Sequence, residues 1–276
     1  MQPKILMGAA LAGAFALGAM IVAYSSAQNN GAQVDETPSR GDDLTTTFSN
    51  TQEDEIRAIV RDYLLSNPET IIESINEYSV RQQAADANRQ VDVARANLQA
   101  LVDPSGGFVA GANPSQAKVV LIEFYDYHCG FCKRALPLIN EVVESDPDVQ
   151  VVFRELPILR TESDIAAEFS LASRDQGQFV EFHNALMTAS GTLTEKRILQ
   201  LAEANGLDAD KLKAERDNPE IPNAISATHA IAEQMGITGT PTFIVATIDG
   251  AYVEVVQGFR ADEVAAKIED AKKIAG

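Results

Sequence analysis

The run "VVLIEFY", Val119 to Tyr125, restricts the fold more than any other stretch of the chain. It is an apolar and β-branched series interrupted only by Glu123, as suits a strand buried on both faces in the middle of a sheet. "HCGFCKRALPLINEVVE" follows it and reads as a helix from Cys129 to about Glu144, and "DVQVVFREL" supplies a second strand. Strand, helix and strand within about 35 residues make a βαβ unit with parallel strands, which places the domain in the α/β class.

The rest of the chain arranges itself around that unit. Ser163 to Met235 reads as several helices, each with apolar residues three or four apart and a Gly, Asn or Pro near its ends, so a helical subdomain of about 162–236 is inserted into the sheet. "TPTFIVATIDG" and "AYVEVVQGF" give a hairpin turning at Asp249-Gly250, and "ADEVAAKIEDAKKIAG" closes the chain as a helix. Upstream, residues 51–102 form a helical arm. Ile56, Ile59, Val60, Tyr63 and Leu64 share a face of its first helix, with Thr51 as the expected N-cap and Asn67-Pro68 as the break. A second helix is expected from Pro68 to about Val102, with Ile71, Ile72, Ile75 and Tyr78 as one stripe and Val91, Ala94, Leu98 and Leu101 as another. Helices so thinly apolar need a partner, either the body at 103–276 or copies of themselves.

Residues 1–27 carry one lysine, no acid, an uncharged apolar run from Ile5 to Ala23 and small residues before Gln28. This reads as an export signal cleaved before Gln28, with a retained membrane anchor as the alternative. Residues 28–50 read as a flexible linker. Either outcome places the body outside the cytoplasm, where thiols can be oxidised. The formal net charge of -18 makes nucleic acid a poor partner.

In that setting the two cysteines, Cys129 and Cys132, are informative because there are no others. They could serve as a redox couple, half a metal site or a staple. A staple closing two residues constrains little of the unfolded chain, and a closed zinc site needs four ligands where only His128, His183 and His229 remain, scattered. A dithiolate could still hold copper(I). As a redox couple, Cys129 falls where strand gives way to helix, so free N–H groups and the helix dipole should stabilise its thiolate. Cys132 lies one turn further in, close enough to form a disulfide and better buried, so it should resolve what Cys129 attacks. His128 could tune Cys129 when protonated, or be a plain loop residue. Glu123, an acid in an apolar strand, could move protons to and from Cys132, unless it reaches solvent at the strand end. In "GITGTPTFIV", Pro241 at a strand start suits a cis bond that leaves Thr240 free to pair with an extended client strand, although a trans proline in a turn is the ordinary reading.

Together, "HCGFCK" after a buried strand, an inserted helical subdomain and "GTPTF" before a hairpin resemble the DsbA family of periplasmic thiol-disulfide oxidoreductases over about residues 105–276. With its helical arm the chain is most similar to the ScsC-like branch. The resemblance implies a thioredoxin fold with an inserted helical subdomain, preceded by an N-terminal helical arm that drives homo-oligomerisation. It implies Cys129 as nucleophile, Cys132 as resolving thiol, Glu123 as buried acid, Pro241 as the cis-proline and Thr240 as the residue before it. No cofactor is implied beyond the Cys129–Cys132 disulfide; the expected partners are exported client proteins and a membrane redox partner. Gly-Phe between the cysteines, where the strong oxidant has Pro-His, and Thr before the proline favour an isomerase or reductase over a pure oxidase. A copper(I)-binding protein of the periplasm is the alternative.

Overall fold

The computed structural model describes residues 48–276, so the expected export segment and most of the linker lie outside the described residues. The described residues fall into two compact units that divide between Asn67 and Pro68. In the first, helix α1 (Asn50–Ser66) starts with a capping box. Ser49, rather than the expected Thr51, is the N-cap, because its hydroxyl and backbone N–H both engage Gln52. Helix α1 buries no residue, and Ile59, Tyr63 and Leu65 are more than half exposed.

The second unit is built on five strands: β1 (Phe108–Gly111), β2 (Val119–Tyr125), β3 (Val149–Glu155), β4 (Thr242–Thr247) and β5 (Val253–Gln257). They lie in the order β1-β3-β2-β4-β5. Strands β2 and β3 are parallel, joined by helix α4 (Gly130–Ser145), while β1 on β3, β4 on β2 and β5 on β4 are antiparallel. Every residue of β2 and β3 is buried, which is why they read as unbroken apolar runs. Helices α5 (Thr161–Ala172), α6 (Phe179–Thr188), α7 (Glu195–Ala204), α8 (Ala209–Arg216) and α9 (Glu220–Met235) form the insertion, and α10 (Ala261–Ala275) ends the chain.

The two faces of the sheet carry separate cores. Val119, Leu121 and Tyr125 face a core with α4, α6 and α10. Val120, Ile122 and Phe124 face a second core that contains Ile231 and Met235 of α9 together with Ala94, Leu98 and Leu101. Those last three correct the boundary expected near residue 102. The root of the second helix is part of the body because its lower stripe completes this core. The helix is also not continuous: α2 (Glu69–Ala96) stops at Asn97 and α3 (Leu98–Val102) resumes the chain. The Asn97 side chain bonds the carbonyl of Val93, an internal alternative to the helical ladder. Above that root, Ile72, Ile75 and Tyr78 of α2 are each about 60% exposed.

Candidate active site

Cys129 is the N-cap of α4. Its sulfur lies 3.4 Å from the backbone N–H of Cys132, which donates to it. Across the site the Thr240–Pro241 peptide is cis, and as a thiol the Cys129 sulfur donates to the Thr240 carbonyl at 3.1 Å. The Thr240 hydroxyl is buried with no other partner, free to donate once the sulfur is ionised. A hydrogen bond from the Cys132 thiol is the largest influence, joined by Thr240 and the backbone N–H groups of Cys132 and Phe131. Against the opposing effect of burial, these bring Cys129 down to about 5. Cys132 is pushed strongly upward by burial, then by its bond to Cys129 and the charge of Glu123. Two thiols one turn apart are thus driven in opposite directions, so one is ionised and the other holds its proton at neutral pH.

Glu123 does not reach solvent. It is 2% exposed, its Oε1 has no partner, and burial, then the nearby charges of Cys129 and Glu155, hold its carboxyl well above the usual range. Thr240 and Pro241 precede β4, whose ladder with β2 begins at Thr242. The structure therefore brings Cys129, Cys132, Glu123, Thr240 and Pro241 to one end of the sheet.

His128 is placed beside them without a charge to offer. Its Nε2 accepts from the Leu193 N–H at 3.2 Å, which only the neutral ring can do, leaving Nδ1 to donate to the Ser163 hydroxyl at 3.0 Å. Burial, then Arg160, lowers its pKa further. Tuning of Cys129 by a protonated His128 is accordingly replaced by positioning. Lys133, also lowered by burial, donates to the Ala189 carbonyl, and Arg134 stacks over the exposed Phe131 ring at 4.0 Å.

Asp126 organises this end of the domain, and sequence reasoning passed over it. Its buried carboxylate accepts from the N–H groups of His128, Ile158 and Leu159 and from the Ser163 hydroxyl, while its carbonyl accepts from the Cys129 N–H. One side chain thereby ties the cysteine loop to the loop after β3 and to α5. Asp126→Ala should cost about 3 kcal/mol or more, because four donors lose their acceptor. Thermal unfolding should register this as a fall of roughly 6–12 °C; an unchanged midpoint would show that water replaces the carboxylate. Behind the site lies a second polar group that was not anticipated, Glu155 with Tyr125, Tyr127, Ser170 and His183. Among the described residues no cluster of three or more His, Cys, Asp or Glu side chains is arranged to hold a metal ion.

Comparison with known proteins gives two family matches. A model described as a DSBA-like thioredoxin domain matches residues 120–269, and one described as the copper resistance protein ScsC N-terminal domain matches residues 52–85. Among solved structures, a thioredoxin-like oxidoreductase from Silicibacter pomeroyi DSS-3 is 38% identical with a TM-score of 0.56, over 62% of this chain and 94% of that one. BcfH from Salmonella enterica Typhimurium is 27% identical with a TM-score of 0.69, over 80% of this chain and 96% of that one. Among curated proteins, the Na(+)/H(+) antiporter NhaA 1 of Salinispora arenicola is 31% identical over 151 residues, 54% of this chain and 23% of that protein. The chain thus spans about a quarter of the length of the curated relatives it matches.

Proposed function

The chain belongs to the DsbA-like thioredoxin domain family, and from that premise we propose that it exchanges disulfides with exported proteins in the cell envelope through Cys129 and Cys132. The observation that carries this reading is the Cys129 sulfur, capping α4 and held against Thr240 with its pKa at about 5. The Cys129 thiolate attacks a client disulfide, forming a mixed disulfide and releasing one client thiolate. Cys132 then gives its proton to Glu123 and attacks the Cys129 sulfur. The Cys129–Cys132 disulfide forms, the second client thiolate leaves, and two electrons have passed to the client. Run backwards, the same steps donate a disulfide. Thr240, outside the β2–β4 ladder, is the residue against which an extended client strand would pair.

Isomerase or reductase work suits the site better than pure oxidation. Gly130-Phe131 between the cysteines, where the strong oxidant of the family has Pro-His, and Thr240 before the cis-proline carry this preference, against the stabilised Cys129 thiolate, which by favouring the reduced form makes the pair a better oxidant. The equilibrium potential of the pair against glutathione tests this. A value at or below about -180 mV supports a shuffler or reductase, and one near -120 mV makes the protein a disulfide donor.

The copper(I) reading draws on the description of the family matched at residues 52–85, but that stretch contains no Cys, His or Met. Copper would have to sit on the Cys129–Cys132 pair. Stoichiometric retention against a chelator, with no activity on scrambled disulfides, would favour it.

The arm is proposed to assemble copies of the chain through the exposed apolar residues of α1 and the start of α2. Removing residues 28–80 should reduce the mass in solution, by light scattering, to that of one chain; an unchanged multiple mass would place the contact elsewhere.

A further inference from the structure

We propose that Glu155 is a second acid of the redox site, which shares one proton with Glu123 and carries the charge of the pair while Glu123 holds that proton. The inference rests on the thiol-disulfide reading given above. In the parallel register of β2 and β3, Glu123 lies opposite Phe153 and Tyr125 opposite Glu155. The two acids therefore stand diagonally on one face, the face that packs against α4 and its cysteines. Both are buried, and each leaves an oxygen without a partner, Oε1 of Glu123 and Oε2 of Glu155.

Their surroundings differ in a way that decides where a charge settles. Glu155 Oε1 accepts from the Tyr125 hydroxyl at 2.6 Å and lies 3.2 Å from that of Tyr127. The Tyr127 oxygen is in turn 2.6 Å from Ser170 Oγ and 3.0 Å from His183 Nδ1. Glu123 has no comparable donor. The titratable groups around Glu155 are Glu123 and Tyr125 of β2, Asp126 and Tyr127 of the loop after it and His183 of α6, with Ser170 from α5, while Cys129 and Cys132 at the start of α4 face Glu123. Burial lowers His183 to about 3, so it is neutral. Burial raises Glu155 to about 8, against the pull of its hydrogen bonds. Two acids this close in a dry setting do not both ionise readily, and they titrate as a pair.

The chemistry uses the pair as one proton store. When Cys132 attacks the Cys129 sulfur, the proton already on Glu123 passes to Glu155 and the Cys132 proton enters Glu123, so that the pair then holds two protons and the negative charge leaves with the client thiolate. When a client thiolate opens the disulfide, Glu123 returns the proton to the Cys132 sulfur. Glu155 touches neither sulfur and acts through Glu123 as a positioning residue.

The test is a carboxyl ¹³C NMR titration of reduced protein labelled at glutamate, comparing wild type, Glu123→Gln and Glu155→Gln, beside the pH profile of the single-turnover closing step. Glutamine keeps an oxygen for Tyr125. In wild type both signals should report two shared steps, and in each variant the remaining acid should titrate once, on the order of one pH unit lower. Glu155→Gln should also move the pH profile. Titration of Glu155 that ignores Glu123→Gln, with a profile that ignores Glu155→Gln, overturns the inference and leaves Glu155 a packing residue. Should Glu155→Gln not fold, Tyr125→Phe keeps the acid and removes a donor. An upward displacement of Glu155 supports the inference, and an unmoved one overturns it. Failure of wild type to exchange any disulfide defeats the functional reading instead, and is distinguishable because the titration needs no client.

Discussion

Cys132→Ala protein should accumulate client proteins as mixed disulfides on Cys129, and Cys129→Ser protein should accumulate none and lose exchange activity to background. The asymmetry follows from burial and ionisation. At pH 7 a thiol held at about 5 is almost wholly thiolate, whereas an ordinary cysteine near 8.5 is ionised to only about 3%. Cys132 is buried beneath it and strongly raised, so it cannot begin an exchange, only finish one. Non-reducing gels followed by reduction would display the trapped species. Adducts on Cys129→Ser protein would reverse the assigned roles.

The second large effect is on pH dependence. Alkylation of Cys129 should rise through a midpoint near 5 and then stay flat, instead of climbing toward 8.5. Its folded pKa is depressed below the unfolded value, so the stability it gives the reduced protein is full above the unfolded pKa and is lost as pH falls through about 5. At pH 7 this should make reduced protein more stable than oxidised protein by about 1–2 kcal/mol, after allowing for solvent screening at a partly open site. Denaturant unfolding of the two redox forms at pH 7 and pH 4.5 would measure it. A gap that widens toward acid would mean that something other than the thiolate separates the forms.

What could be read beforehand is what lies close together in sequence. The apolar run of β2, the cysteine at the start of α4 and the Asp249-Gly250 hairpin each declare themselves within a dozen residues. The edge strand β1 did not, because a four-residue strand that follows two glycines and ends on a third has too little pattern to distinguish it from a loop. Asp126 looked like a turn residue, and its importance appears only when Ile158, Leu159 and Ser163 arrive from more than 30 positions away. Glu155 ended an apolar strand as Glu123 interrupted one, but its phenol, serine and imidazole neighbours come from three other elements. The break at Asn97 was hidden because the apolar stripe runs straight through it. The buried Cys132, by contrast, was legible from its distance of one turn into the helix.

Helix α2 is fixed at one end only. Gln90 bonds Gln257 of β5 at 2.8 Å and Ala94 is wholly buried, while Ile72, Ile75 and Tyr78 stand clear of the body. From Tyr78 to Gln90 an unbroken helix rises about 18 Å. Whatever grips the outer stripe is therefore held at a set height and angular phase above the sheet. The helix is a ruler where a loop would be a leash: adding seven residues would raise the grip by about 10 Å at nearly the same phase, whereas adding two would swing it to the far side.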